Sequence, residues 1–299
     1  MNSNSKKTSA FYGALILLQC LLWGIGNPVT KIGLETVPPF YCNAIRYTFA
    51  FLLFLLVFGR QIRSQFKKEY IPGCLVIGLF TAASFILNTF GLLLTQATIA
   101  GFLMSMAVVF TPILSLFILK ERISLKLALS IIVVVAGMYF LCGNSGRFQF
   151  GAGEVLALLS ALSGAGMLTY TSKHVTDIGP MVLSAAQCAV TAVVSFFFAF
   201  IFEDFGSLAE VSGEGWACVA YLAVACTCIA YSLQNIALRK VSATFVSVAF
   251  CTEPVFTAVA SFFMLMERLT LTGIAGAVLI LGGLVLASIL PSSGGKDTA

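Results

Sequence analysis

Glu253-Pro254 interrupts the apolar stretch that begins at Phe250, "FCTEPVFTAVASFFMLMERLT". A carboxylate in such a run either takes up a proton for exchange or contacts an amino group on a solute, or else it holds a neighbouring helix through a hydrogen bond. Arg46 poses the complementary question, because a guanidinium in apolar surroundings needs acceptors. A solute carboxylate supplies them, and so do a helix end or the membrane surface. Trp23 and Asn27 stand one helical turn apart and share a face. An indole for stacking and an amide for orientation suit an amino acid or heterocycle; packing and an interhelical bond are the alternative. Asn88 and Tyr231 complete the candidate solute-binding set, and Gln19, Gln234 and Asn235 are further polar residues in apolar runs. Pro112 and Pro254 each remove an intrahelical donor, which predicts bends that either gate a pathway or are static kinks.

The 299 residues are 59% hydrophobic and 10% charged, with a mean hydropathy of +1.01. Soluble domains are about 45–50% apolar, so the chain is an integral membrane protein. Its formal charge of +5 falls in short clusters between apolar runs, which argues against nucleic-acid binding. The nine cysteines lie mostly inside apolar runs and act as small hydrophobes. His174 is the only histidine, and no second cysteine pair accompanies Cys226 and Cys228, so no metal site is expected. There is no GxxxxGK[ST] loop and no cofactor motif. An intramembrane hydrolase would need a Ser/His pair, two intramembrane aspartates or HExxH; the spans offer none, and no catalytic residue is assigned. Lys173, His174 and Asp177 read as a solvated loop.

A membrane helix needs about 20 mostly apolar residues. Charges, turns and prolines divide the chain into ten such stretches: 10–31, 40–59, 71–94, 97–119, 124–143, 152–172, 180–202, 215–238, 243–265 and 270–290. Lys6-Lys7 before the first run imitates a signal peptide, but a second long run follows Pro39 almost at once, so the first is a retained helix. Thirteen Lys and Arg residues fall on one side of these spans and three on the other, leaving Arg46 as the one basic residue within a span. That asymmetry predicts a cytoplasmic membrane protein with both termini inside. Glu253 then lies near mid-membrane.

A shift of 146 places aligns Val109-Phe110-Thr111 with Val255-Phe256-Thr257. It also aligns Ser115, Phe117, Leu119, Glu121, Arg122, Leu125 and Gly137 with Ser261, Phe263, Leu265, Glu267, Arg268, Leu271 and Gly283. Ala97-Thr98 matches Ala243-Thr244, and a shift of 141 places Pro39 on Pro180 and Arg46 on Gln187. Because five is odd, the two copies, residues 1–149 and 150–299, enter the membrane from opposite sides. The expected fold is an all-α integral membrane protein of ten transmembrane helices in two inverted five-helix repeats.

These features resemble the drug/metabolite transporter superfamily, in its branch of bacterial EamA-type exporters. The pieces that carry the resemblance are Trp23-Gly24 with Asn27 and Lys31, Pro39 with Arg46, Ala97-Thr98 with "VVFTP", and "YSLQNIALRKVSAT" followed by Glu253-Pro254 and "MERLT". The resemblance runs from about Phe11 to Leu290. It implies a central solute cavity and export of amino acids or related small metabolites. Coupling is either to protons, through Glu253, or absent. A channel or uniporter, and a non-transporting membrane partner, remain the competing readings. The partners expected are a small solute and membrane lipid. "GIAGAVLILGG" from Gly273 fits helix packing within a monomer or at a homodimer interface.

Overall fold

The computed structural model describes residues 3–120, 125–142, 151–268 and 270–288. The predicted span ends at 124, 143 and 289–290, with Glu121, Arg122, Arg147, Leu269 and Lys296, lie outside the described residues. All regular structure among the described residues is helical. The helices are α1 (Ser3–Gly33), α2 (Pro39–Gln65), α3 (Ile71–Leu94), α4 (Ala97–Met104), α5 (Ala107–Ile118), α6 (Leu125–Cys142) and α7 (Ala152–Ile178). Then follow α8 (Pro180–Phe202), α9 (Gly213–Tyr221), a π-helical stretch Leu222–Ile229, α10 (Ala230–Leu238), α11 (Ala243–Ala249), α12 (Glu253–Met264) and α13 (Leu271–Ser288).

Eight helical segments are long and apolar enough to cross a membrane: Phe11–Gly33 within α1, the whole of α2, α7 and α8, α3 with the 3₁₀ turn Lys68–Tyr70 before it, and the composite rods α4–α5, α9–α10 and α11–α12. Two shorter apolar stretches, Ala128–Gly137 and Leu271–Gly283, lie in α6 and α13. The outer surface is apolar, with Leu56, Phe117, Phe263 and Leu271 among the most exposed side chains, whereas Gln19, Asn27, Arg46, Gln187, Gln234, Asn235 and Glu253 are buried. That distribution suits a lipid solvent, in which polar groups turn towards the bundle interior.

Several predicted boundaries match, including 71–94 and 180–202. Three helices run further than predicted. The first begins at Ser3, the second continues to Gln65 and the seventh to Ile178. Lys173, His174 and Asp177 are therefore on the last turns of α7, not in a loop. Charged side chains at a helix end reach water without unwinding it, and the helix stops only at Gly179, whose φ of +88° suits glycine.

The fourth and ninth predicted spans are each interrupted by tight 3₁₀-type bonding ahead of the proline, with the backbone staying in the right-handed helical region. α4 gives way to α5 at Ser105-Met106, and α11 to α12 through the 3₁₀ turn Phe250–Thr252, so the two breaks are 146 places apart. Pro254 lies in the first turn of α12, where its missing N–H has no intrahelical acceptor to serve. The Phe250 carbonyl, predicted to be released by Pro254, accepts instead from the Glu253 N–H. Pro112 is inside α5 and one turn beyond the position matching Pro254.

Hydrogen bonds recur at the same offsets. Asn43 Nδ2 donates to the Pro39 carbonyl at 3.3 Å and to Thr89 Oγ1 at 2.8 Å. At positions shifted by 141 and 146, Ser184 Oγ donates to the Pro180 carbonyl at 3.0 Å and accepts from Asn235 Nδ2 at 2.8 Å. Arg46 Nε donates to Thr227 Oγ1 at 2.7 Å, and Gln187 Nε2 to Thr81 Oγ1 at 3.2 Å.

Without a hydrophobic force between helices in lipid, close packing carries their association. α3 and α8 approach so closely that a Cβ on Gly78 would lie 2.5 Å from Val190 Cβ. α13 packs on α6, where a Cβ on Gly283 would meet Val134 Cγ2 at 2.6 Å, and Ala277 joins the apolar cluster around Val134 and Val248. Gly78→Ala is expected to destabilise the protein by about 1–3 kcal/mol through overpacking. Val190→Gly in the same chain, which removes the Cβ that the new methyl meets, should recover part of that loss in a detergent thermal melt.

Candidate functional site

The arrangement at the bundle centre starts from α1. Gly24 has no side chain where α12 crosses: a Cβ there would lie 2.5 Å from Phe256 Cβ and 3.0 Å from the Glu253 carbonyl oxygen. This approach brings Asn27, one turn further on, within reach of the start of α12. Its Nδ2 donates to Glu253 Oε1 at 3.1 Å and to Thr257 Oγ1 at 3.0 Å. Asn27 and Glu253 are 5% and 6% exposed. The break in the ninth span explains the acid's position: Glu253 sits in the first turn of α12, where the helix dipole favours negative charge.

Trp23 stands on the same helix, one turn before Asn27. Its Nε1 donates to the Cys226 carbonyl at 2.7 Å, inside the π-helical stretch Leu222–Ile229. π-helical turns are wider than α-helical ones and concentrate at functional sites. Here the widening is locked from within and without. Thr227 Oγ1 donates to the Leu222 carbonyl five residues back, whereas the matching Thr81 donates to the Ile77 carbonyl four back. A Cβ on Gly26 would meet Cys226 Sγ at 2.6 Å, so α1 lies flush against the stretch.

Around Trp23 the rings form a box. Its centroid is 5.8 Å from Phe85, 6.0 Å from Tyr231 and 5.2 Å from Phe250. Tyr47 is 5.6 Å from Phe85, and its hydroxyl is 3.3 Å from that of Tyr231. Arg46 enters this box. Its Cζ lies 5.1 Å from the ring centres of both Tyr47 and Phe85, and Nε is spent on Thr227. The guanidinium is 4% exposed. The single ion pair among the described residues is Lys67–Glu69, so no described acid neutralises Arg46. Neutral acceptors and ring faces carry the charge.

Five of the six sequence candidates thus fall into one connected cluster: Trp23, Arg46 and Tyr231 share the ring box, while Asn27 and Glu253 join it through α1. Asn88 is not hydrogen-bonded to them. It is 7% exposed, and its Oδ1 is buried without a partner. Of the two candidate gating prolines, Pro254 lies in the first turn of the helix that Glu253 begins, and Pro112 is buried inside α5. Sequence reasoning missed Tyr47, Phe85, Phe250, Thr227 and Thr257. Tyr47 adjoins Arg46 and Phe250 the Glu253 motif, which were signals to follow. Nothing local pointed to Phe85 or Thr227, which depend on helix register. Gln19 pairs with Gln234 at 2.8 Å, and Asn235 bonds Gln187 and Ser184 in a separate polar group.

Comparison with known proteins places this arrangement in a family. The profile described as EamA-like transporter family matches residues 11–143 and again 151–289. The chain belongs to that family, and it is a multi-pass membrane transporter and not an enzyme. It is 30% identical over 276 residues to an uncharacterized transporter of Archaeoglobus fulgidus, covering 92% of this chain and 84% of the relative. A probable amino-acid metabolite efflux pump of Escherichia coli is 26% identical over 284 residues, covering 92% and 93%. A solved crystal structure shares the fold at a TM-score of 0.75 and 18% identity, covering 94% of this chain and 96% of that one.

Thr227→Val removes the acceptor of the buried Arg46 Nε and the bond that holds the wide turn. An unsatisfied buried partner costs about 1–3 kcal/mol, more for a charged one. The variant is expected to melt at lower temperature, with Thr227→Ser retaining most of the stability.

Proposed function

We propose that the protein is a secondary transporter that exports amino acids or similar zwitterionic metabolites across the cytoplasmic membrane by alternating access. The observation that carries this reading is Arg46: a buried guanidinium without an acidic partner, flanked by rings and leaving donors for an incoming carboxylate. Glu253, joined to the helix of Trp23 through Asn27, supplies the opposite charge for a solute ammonium or takes up an exchanged proton. The Escherichia coli relative, a probable amino-acid metabolite efflux pump, supports the solute class.

The protein moves between two states as two five-helix units, residues 1–149 and 150–299, inserted in opposite senses with both termini in the cytoplasm. The doubled family match and the recurring bonds of Asn43 and Ser184 and of Arg46 and Gln187 support this reading. Ten helices then cross the membrane, with α6 and α13 as the two short ones. The breaks in α4–α5 and α11–α12 serve as hinges, and Pro254 fixes the start of the second half of one of them. Asn88 and Tyr231 line the path beside Phe85.

The test is counterflow in liposomes containing purified protein, screened against a mixed metabolite pool with and without a pH gradient. Saturable counterflow is expected, faster for export when the outer compartment is acidic. Glu253→Gln should make the rate insensitive to the gradient. Arg46→Gln should weaken binding of a carboxylate solute by about tenfold or more, the value of a lost charge-assisted bond, while an amide analogue of that solute discriminates little between the two proteins. Non-saturable flux would point to a channel, and unchanged pH dependence in Glu253→Gln would remove the proton role.

A further inference from the structure

The first N–H groups of a helix have no intrahelical acceptor and must find one elsewhere. Four helices solve this within their own segment, one of them α13, where Thr270 Oγ1 accepts from Gly273 N. Ser242 Oγ accepts from Phe245 N at the start of α11, Ser212 Oγ from Gly215 N at α9, and the Glu154 carboxylate from Gly151 N at α7. α2 and α4 differ. Their flanking residues, Pro38 and Gln96, provide no side-chain bond, and the acceptors come from far along the chain.

Glu203, the residue after α8, spans the start of α2: Oε1 accepts from Phe40 N at 2.7 Å and Oε2 from Tyr41 N at 2.8 Å. Glu267, just after α12, does the same for α4. It accepts from Ala97 N and Thr98 N at 3.2 Å each and from Thr98 Oγ1 at 2.5 Å. Both acids belong to the second match to the family profile and both helices to the first. Both contacts also fall at one end of the bundle, where α1 and α3 finish and α2 and α4 begin. Lys31 Nζ donates to the Thr95 carbonyl at 2.7 Å at that end, and Thr36 Oγ1 meets Ser212 Oγ at 3.1 Å. At the other end the starts of α3 and α8 receive no side-chain cap, and the one described ion pair, Lys67–Glu69, is local.

We propose that Glu203 and Glu267 are the latches of the outer gate. In the state seen here each clamps a helix start of one half to the other half, and releasing both lets that end open. The inference rests on the alternating-access reading above and adds gating residues to it. A carboxylate on two successive N–H groups is strong while aligned and is lost together when the halves separate, which suits a two-position contact.

Native cysteines report on it. Cys42 follows Tyr41 on α2 and Cys218 lies on α9 at the same end, 2% and 8% exposed; Cys74, 5% exposed, sits near the start of α3 at the opposite end. Proteoliposomes of fixed orientation are treated from the outer side with a membrane-impermeant maleimide, and the labelled peptides are mapped by mass. Glu203→Ala with Glu267→Ala should speed labelling of Cys42 and Cys218 by about tenfold, the population change expected on losing charge-assisted bonds, and leave Cys74 unchanged. If that double variant does not fold, Glu203→Gln with Glu267→Gln, which keeps shape and one acceptor per side chain, should give a smaller rise at the same two positions. Unchanged labelling, or an equal rise at Cys74, would overturn the latch. Absence of counterflow in the wild-type protein would instead count against the transport reading, and a selective rise at Cys42 and Cys218 would still uphold the latch.

Discussion

Arg46 and Glu253 are opposite charges buried in one bundle and not paired with each other. Direct pairing would be the simplest way to lower the desolvation cost of each. Instead each is held by neutral groups: Arg46 by a threonine hydroxyl and two ring faces, Glu253 by the amide of Asn27 and the start of a helix. Such partners lower the cost of burial without the direct ion pair that would tie the two helices to each other.

The separation depends on α1. Trp23 fixes the π-helical stretch through the Cys226 carbonyl, while Asn27 on the same face fixes the acid. Gly24 and Gly26 allow α12 and the π-helical stretch to lie directly against this helix. The matching positions in the other half are Gly164 for Trp23, Leu168 for Asn27, Gln187 for Arg46 and Ala107 for Glu253, by the offsets of 141 and 146. The two matching halves therefore share the scaffold bonds, seen again at Asn43 and Ser184, while neither charge has a charged counterpart in the opposite half.

Much of this was legible in the chain because lipid is a demanding solvent. Long apolar runs, the count of basic residues between them and the 146-place repeat follow from rules that act residue by residue, so the helical class and most boundaries could be read directly. Glu253, Arg46, Trp23 and Asn27 stood out because charge or amide in such runs is costly unless used. Three features were not legible. The π-helical stretch has no composition of its own, since one extra residue per turn depends on what Trp23 and Thr227 bond. The ring partner Phe85 looks like any apolar residue until α3 is placed beside α2. Pro254 suggested a kink, but proline at a helix start and proline at a bend have the same local text; only the 3₁₀ turn before it distinguishes them.

That last distinction bears on how the molecule works. A helix that tightens into 3₁₀ geometry remains one rod but redirects the side chains that follow. The acid sits at the first residue of α12, directly after the tightened turn Phe250–Thr252, and bonds α1 through Asn27, whereas Arg46 is on α2. The counterpart turn at Ser105-Met106 carries alanine in place of the acid. The scaffold thus carries its buried acid directly after one tightened turn and an alanine after the matching one.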